Sequence, residues 1–282
     1  MNVFRPLRDG WTVVPVATTA PVGALATLAG GHPVAATVPG CVHTDLLAAG
    51  LIADPYLDDN EERLAWIGRT DWEYATTFEW TDAGHERVDL VCAGLDTVAT
   101  VLVNDVVVGR TANMHRSYRF DVRSLLRPGD NRLVVRFESA QRYAERMRDE
   151  LGDLPHAYDQ PFNFIRKMAC NFGWDWGPIL VTAGIWQSIG LESWSTARLA
   201  EVRPLVTMDG ADGAVEVLVE VERSGPAAGE APVTVRAAVA GVGAEVTVPA
   251  SATTATVRLA VPGPRRWWPH GHGEQARYEL AV

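Results

Sequence analysis

The sequence predicts an all-β protein of two sandwich-like domains. Three observations carry this: short runs that alternate apolar and polar residues, turn signals rich in Gly, Pro, Asn and Asp between them, and a change of composition near residue 195. With 282 residues, 47% hydrophobic and 21% charged, the chain has room for roughly two domains of ~150 residues each. The same figures exclude a disordered or fibrous chain.

In the first part, Trp72 to Trp80 (WEYATTFEW) places large apolar residues at even positions, so those side chains point to one face of a strand. VDLVCAG (88 to 94) and ATVLVNDVVVGR (99 to 110) follow, the latter split by Asn104-Asp105, two residues that tolerate φ > 0 and so suit a tight hairpin. SYRFDV, SLLRPGDN and RLVVRFES then read as strand, turn and strand. Helical signals are few. CVHTDLLAAGLI (41 to 52) has Leu46, Leu47 and Leu51 at helical spacing with Thr44 as candidate N-cap, and QRYAERMRDEL (141 to 151) is free of Gly and Pro.

Eight of the ten tryptophans precede residue 195, beyond which the chain turns rich in Val, Ala, Thr and Gly. LAEVRPLV, AVEVLVEVER, APVTVRAAVAG, AEVTVPA, TTATVRLAVP and RYELAV read as six strands separated by short turns, the pattern of an immunoglobulin-like sandwich. The boundaries expected are 1–195 and 196–282. Since such a sandwich needs about seven strands, the second domain is expected to be incomplete at its C-terminus. GPAAGEAP (225 to 232) reads as a mobile loop.

A net charge of −10 repels a phosphate backbone and argues against nucleic acid or anionic lipid as partner; a neutral ligand such as a sugar fits better. No apolar run reaches membrane-spanning length and the start has no signal-peptide core, so a soluble, cytoplasmic chain is expected. Cys41, Cys92 and Cys170 are widely spaced and read as three buried thiols. No G-x-S-x-G, phosphate-binding glycine loop or H-E-x-x-H occurs, and no cofactor or metal is expected. His270 and His272 flank a glycine without a third ligand and read as an exposed turn, while His43 and His115 read as hydrogen-bonded structural residues. Arg69 and Asp71 are expected to pair, and Glu61 and Glu62 to be solvated.

The stretch with most chemistry is NFGWDWGPILVTAGIWQ (171 to 187). A sugar offers C–H faces that stack on aromatic rings and hydroxyls that bond best to ionised carboxylates, and Trp174-Asp175-Trp176 supplies both. In an extended segment the indoles point one way and the carboxylate the other; a turn at Gly173 or Gly177 gathers them around one pocket instead. The same residues also fit two core tryptophans and a turn-capping Asp. Trp186 and Trp194 read as core. Lys167 is the one lysine among 25 basic residues and sits just before this cluster, where a compact ammonium on a flexible stem is the candidate requirement.

FGWDWGP, together with VPGCVHTDLLAAGLIADPY, WIGRTDWEY, GLDTVATVLVNDVVVG, FDVRSLLRPGDNRLVVRF and WWPHGHGEQARYEL, resembles the amino-terminal portion of the β-mannosidases of glycoside hydrolase family 2, in the family's order through nearly the whole chain. The resemblance implies a jelly-roll, galactose-binding-like domain, then an immunoglobulin-like domain, and a catalytic (β/α)8 barrel beyond residue 282 as the partner of both. It also implies hydrolysis of terminal β-mannosyl residues with retention by two glutamates on that barrel, so that no catalytic residue lies in this chain and the chain alone is inactive. Asp175, Trp174, Trp176 and Lys167 become candidate substrate-binding residues, with Asp175 accepting from sugar hydroxyls. An exo-β-glucosaminidase of the same family and a free-standing carbohydrate-binding module are the alternatives. The chain departs from the family's pattern at Leu57-Asp58-Asp59 and at His270-Gly271-His272, and neither change touches Asp175.

Overall fold

The computed structural model describes residues 3–17, 32–225 and 230–282. The described chain falls into two compact units, one of Val3–Gly84 with Val88–Ser193 and one of His85–Arg87 with Trp194–Val282. Residues 226–229, within the loop expected at 225 to 232, lie outside the described residues.

The first unit holds strands β1 (Val3–Pro6), β2 (Thr12–Ala17), β3 (Val34–Ala35), β4 (Asp71–Trp80), β5 (Arg87–Cys92), β6 (Val98–Val103), β7 (Val106–Ala112), β8 (Tyr118–Asp121), β9 (Gly129–Phe137), β10 (Phe172–Trp174), β11 (Gly177–Ile179) and β12 (Ile189–Trp194). A four-stranded sheet of order β1-β12-β5-β8 and a six-stranded sheet of order β3-β2-β4-β9-β6-β7 form the jelly-roll sandwich. Alternation in β4 puts Trp72, Tyr74, Thr76, Phe78 and Trp80 on the buried face, as the sequence predicts. The apolar members of that face meet Leu133, Val135 and Phe137 of β9 and Val88, Leu90 and Cys92 of β5 in one core. Asn104 and Asp105 take φ of 48° and 66° in the two-residue β6–β7 turn, the geometry expected of that pair.

The same unit contains the helices α1 (Val42–Ala48), α2 (Asn60–Leu64) and α3 (Ala140–Leu151). The N-cap of α1 is Cys41, not Thr44; Thr44 sits at N3, and its hydroxyl accepts from the Cys41 amide at 3.4 Å. The sequence missed this because cysteine is not a preferred cap. Ser139 caps α3, accepting from the Arg142 amide at 3.1 Å. Beneath α3 a second cluster gathers Ala140, Ala144, Phe164, Ile165, Phe172 and Val181. Of the cysteines only Cys92 is buried; Cys41 is half-buried and Cys170 exposed, against the expectation of three buried thiols.

The second unit is the immunoglobulin-like sandwich. Its strands are β13 (Ala197–Asp209), β14 (Asp212–Arg223), β15 (Val233–Val239), β16 (Val242–Val248), β17 (Thr254–Val261) and β18 (Leu280–Ala281), in sheets ordered β13-β14-β17 and β16-β15-β18. Val215, Val217, Val219 and Val221 of β14 pack with Val257, Leu259 and Val261 of β17 and Val235, Ala237 and Val239 of β15. These are the six runs read from the sequence. His270 and His272 stand exposed in a turn closed by the His272 amide donating to the Pro269 carbonyl at 3.0 Å.

Candidate functional site

β10 and β11 form a separate antiparallel hairpin, with Phe172 opposite Ile179 and Trp174 opposite Gly177. The turn is therefore Asp175-Trp176 itself, rather than either glycine. Phe172 anchors the hairpin: it is fully buried in the cluster beneath α3, a burial that contributes roughly 1.5–3 kcal/mol. Gly173 follows with φ of +92°, and a Cβ there would stand 2.5 Å from Ile179 Cγ1, so any larger residue is strained and displaces Ile179. The Tyr158 hydroxyl donates to the Gly173 carbonyl at 2.7 Å, and the Ile179 amide donates to Glu61 Oε1 at 2.5 Å. Both strands are thus held by side chains distant in sequence.

What the anchor supports is an exposed aromatic and acidic tip. Trp174 is 49% and Trp176 81% exposed, their ring centroids 5.3 Å apart and their planes tilted by 48°. Two indoles left in water forgo burial worth several kcal/mol, so neither belongs to the core. The Asp175 carboxylate is exposed and forms no hydrogen bond or ion pair among the described residues, so it is available to a ligand's hydroxyls. Beside the tip lies an open pocket of about 640 Å³ lined by Glu61, Ala157, Tyr158, Phe172, Trp174, Asp175 and Ile179. Trp176 stands beside Trp174 without lining that pocket.

Lys167 behaves differently from the expectation. Its side chain is fully buried, and Nζ donates to Asp96 Oδ1 and Oδ2 at 2.6 and 2.5 Å and to the Thr182 carbonyl and hydroxyl at 3.0 and 2.9 Å. Every proton of the ammonium is engaged inside the sandwich, so the group has none to offer a ligand. Burial lowers its pKa from the ordinary lysine value, and the Asp96 carboxylate opposes that shift. Its role is to tie the segment leading into the hairpin to the loop of Asp96. A compact ammonium suits this buried three-way contact, which explains the residue type if not the site assignment.

Sequence reading missed Glu61, taken as solvated; it is half-buried and bonds the hairpin. Arg69 pairs with Glu145 at 3.0 and 2.5 Å, and Asp71 with Arg142 and the Ser139 amide, so the expected Arg69–Asp71 pair is not formed. His43 is buried with no partner at Nδ1 among the described residues, and its pKa falls to about 4 because of burial and, next, the Lys167 charge. Trp194 is buried as expected, and Trp186 is half-buried with Nε1 donating to the Met114 carbonyl at 3.1 Å. Among the described residues no group of three or more His, Cys, Asp and Glu could hold a metal ion, and no helix is long and apolar enough to cross a membrane.

Fold and site together define an all-β protein: a jelly roll carrying an aromatic-carboxylate tip, and an immunoglobulin-like sandwich. Residues 23–187 match the family described as glycosyl hydrolase 2 galactose-binding domain-like. The chain belongs to that family. It is 33% identical to a β-mannosidase of Rattus norvegicus over 276 residues and 34% identical to β-mannosidase B of Aspergillus clavatus over 255 residues, covering 88% and 87% of this chain. It spans about 30% of the length of these curated relatives. Among solved structures, a β-D-mannosidase of Dictyoglomus thermophilum aligns over 99% of this chain and 33% of its own, with a TM-score of 0.84 and 29% identity. An exo-chitosanase of Amycolatopsis orientalis shares the fold at a TM-score of 0.69 and 19% identity, over 98% of this chain and 31% of its own. The resemblance read from the motifs is borne out.

Proposed function

We propose that this chain is the amino-terminal part of a retaining exo-β-mannosidase, in which the Trp174-Asp175-Trp176 tip forms one wall of the subsite for the terminal β-D-mannosyl unit. The observation that carries this is the exposed, unpaired Asp175 carboxylate beside Trp174 on the rim of the 640 Å³ pocket, in a chain one-third identical to β-mannosidases. The indoles stack on the sugar's C–H faces and Asp175 accepts from its hydroxyls. Two carboxyl groups about 5 Å apart perform the retaining displacement, and on the family resemblance both belong to a (β/α)8 barrel following residue 282, so the 282-residue chain binds mannosides weakly and turns none over. The three unpaired cysteines suit a reducing compartment, which supports a cytoplasmic setting.

The test is Asp175→Ala in the full-length enzyme. Loss of a charge-assisted hydrogen bond of ~1.5–3 kcal/mol predicts a fall of roughly 10- to 150-fold in kcat/KM for an aryl β-mannoside at unchanged stability. An unchanged rate refutes the assignment, and a preference for the corresponding β-glucosaminide refutes the substrate class.

A further inference from the structure

Glu61 has a carboxylate oxygen that its tie to β11 leaves unused. The residue stands half-buried in α2, and its Oε1 accepts from the Ile179 amide at 2.5 Å. Oε2 makes no hydrogen bond or ion pair among the described residues. Other half-buried glutamates of the same unit are neutralised: Glu73 pairs with Arg132 and Arg136, and Glu145 with Arg69. Glu61 keeps its charge uncompensated beside the tip.

The pocket that it faces has a one-sided chemistry. Glu61 and Asp175 both line the 640 Å³ space, and none of the described residues lining it is a Lys, Arg or His. Two carboxylates with no cation between them set up a negative potential, which repels an anionic ligand and favours one that brings hydrogen-bond donors. The Tyr158 hydroxyl also lines the pocket, but its proton already goes to the Gly173 carbonyl. The side chains of the lining therefore accept at two places and donate at none, while Trp174 and Ile179 supply exposed apolar surface. A neutral polyol with C–H faces fits that set.

Spacing decides that one ring suffices. Ile179, to which Glu61 is bonded, pairs with Phe172 at the foot of the hairpin, and Asp175 lies in the turn at the other end. Three residues of strand at a rise of ~3.3 Å each separate foot from turn by about 10 Å. A pyranose, roughly 5 Å between hydroxyl oxygens on opposite sides of the ring, covers that span with one hydrogen bond of ~2.8 Å at each end.

We propose that Glu61 is a further specificity-determining residue: its free Oε2 accepts from a hydroxyl of the same sugar ring that Asp175 binds, and the pair of carboxylates rejects acidic sugars. The inference rests on the reading of the tip as a mannosyl subsite and deepens it.

The experiment measures kcat/KM of the full-length enzyme on an aryl β-mannoside, on its four monodeoxy analogues and on the aryl β-mannuronide. Glu61→Gln keeps an oxygen for the Ile179 amide and loses the charge, so the melting temperature is expected to hold while kcat/KM on the parent mannoside falls about tenfold. The gap between wild type and variant is expected to close on the one analogue that lacks the hydroxyl Glu61 contacts and to persist on the other three. Glu61→Asp, still charged but one methylene shorter, is expected to show the same pattern. The ratio of mannuronide to mannoside turnover, read within one protein, is expected to rise about tenfold in Glu61→Gln and to stay at the wild-type value in Glu61→Asp. A wild-type rate in both variants, or a gap of equal size on every analogue, overturns the contact, because Glu61 then acts only through the hairpin. An unchanged mannuronide ratio in Glu61→Gln overturns the rejection of acids. Either result leaves the tip assignment standing as long as Asp175→Ala keeps its loss, whereas a wild-type rate in Asp175→Ala overturns the tip assignment and this inference with it.

Discussion

Replacing His43 by Gln removes a buried base whose titration couples the first sandwich to pH. In the folded protein the imidazole pKa falls from its ordinary 6.5 to about 4, chiefly because burial disfavours the charged ring, next because Lys167 repels it, with Asp96 opposing. The native state therefore binds fewer protons than the unfolded chain, and its stability contribution is present above pH 6.5 and lost as pH falls toward 4. A displacement of about 2.5 pH units at 1.36 kcal/mol each amounts to about 3 kcal/mol, of which about 2.5 kcal/mol falls between about pH 7.5 and about pH 4.5. Urea unfolding followed by tryptophan fluorescence at those two pH values measures it. Carboxylates such as Glu145, whose pKa is also lowered, titrate in both proteins and cancel in the difference. The wild type is expected to lose about 2.5 kcal/mol more than His43→Gln on acidification. Parallel losses in the two proteins refute the reasoning, because they mean that the ring carries its proton at the same pH folded and unfolded.

Lys167→Met leaves the Asp96 carboxylate buried without its cation and is expected to cost ~3–5 kcal/mol in urea unfolding, with Lys167→Met/Asp96→Asn costing less than the single variant; a single-variant cost below ~1 kcal/mol contradicts the buried pair. Gly173→Ala forces a methyl into Ile179 at a positive φ, so a loss of ~1–3 kcal/mol and a weakened indole response to mannosides are expected, and an unchanged melting temperature rules out the strained geometry. Tyr158→Phe removes the hydroxyl that holds the Gly173 carbonyl at 2.7 Å, with an expected cost of about 1 kcal/mol; binding and stability both equal to wild type would show that the bond does not position the hairpin.

The strands were legible because their signal is local. Trp72 to Trp80 declares its buried face through a two-residue period that any sheet must obey, and Asn104-Asp105 declares its turn through backbone conformations few residues adopt. The turn of the β10–β11 hairpin escaped for the converse reason: Asp175-Trp176 is not a pair that hairpins prefer, and the flanking glycines drew attention away from it. Gly173 serves the close approach of Ile179 instead.

By itself, then, the sequence determined the all-β architecture, the six strands of the second sandwich and the presence of an indole-carboxylate-indole motif, since each depends on neighbours a few residues apart. Only the tertiary structure decided which charged groups serve the motif and which serve the core. Lys167 lies eight residues from Asp175 along the chain, yet its ammonium closes on Asp96, while Glu61, 118 residues from Ile179, holds the hairpin. The energy of a buried ion pair or a buried amide's hydrogen bond depends on the burial and geometry of partners that folding brings together from distant segments, and no local pattern records it.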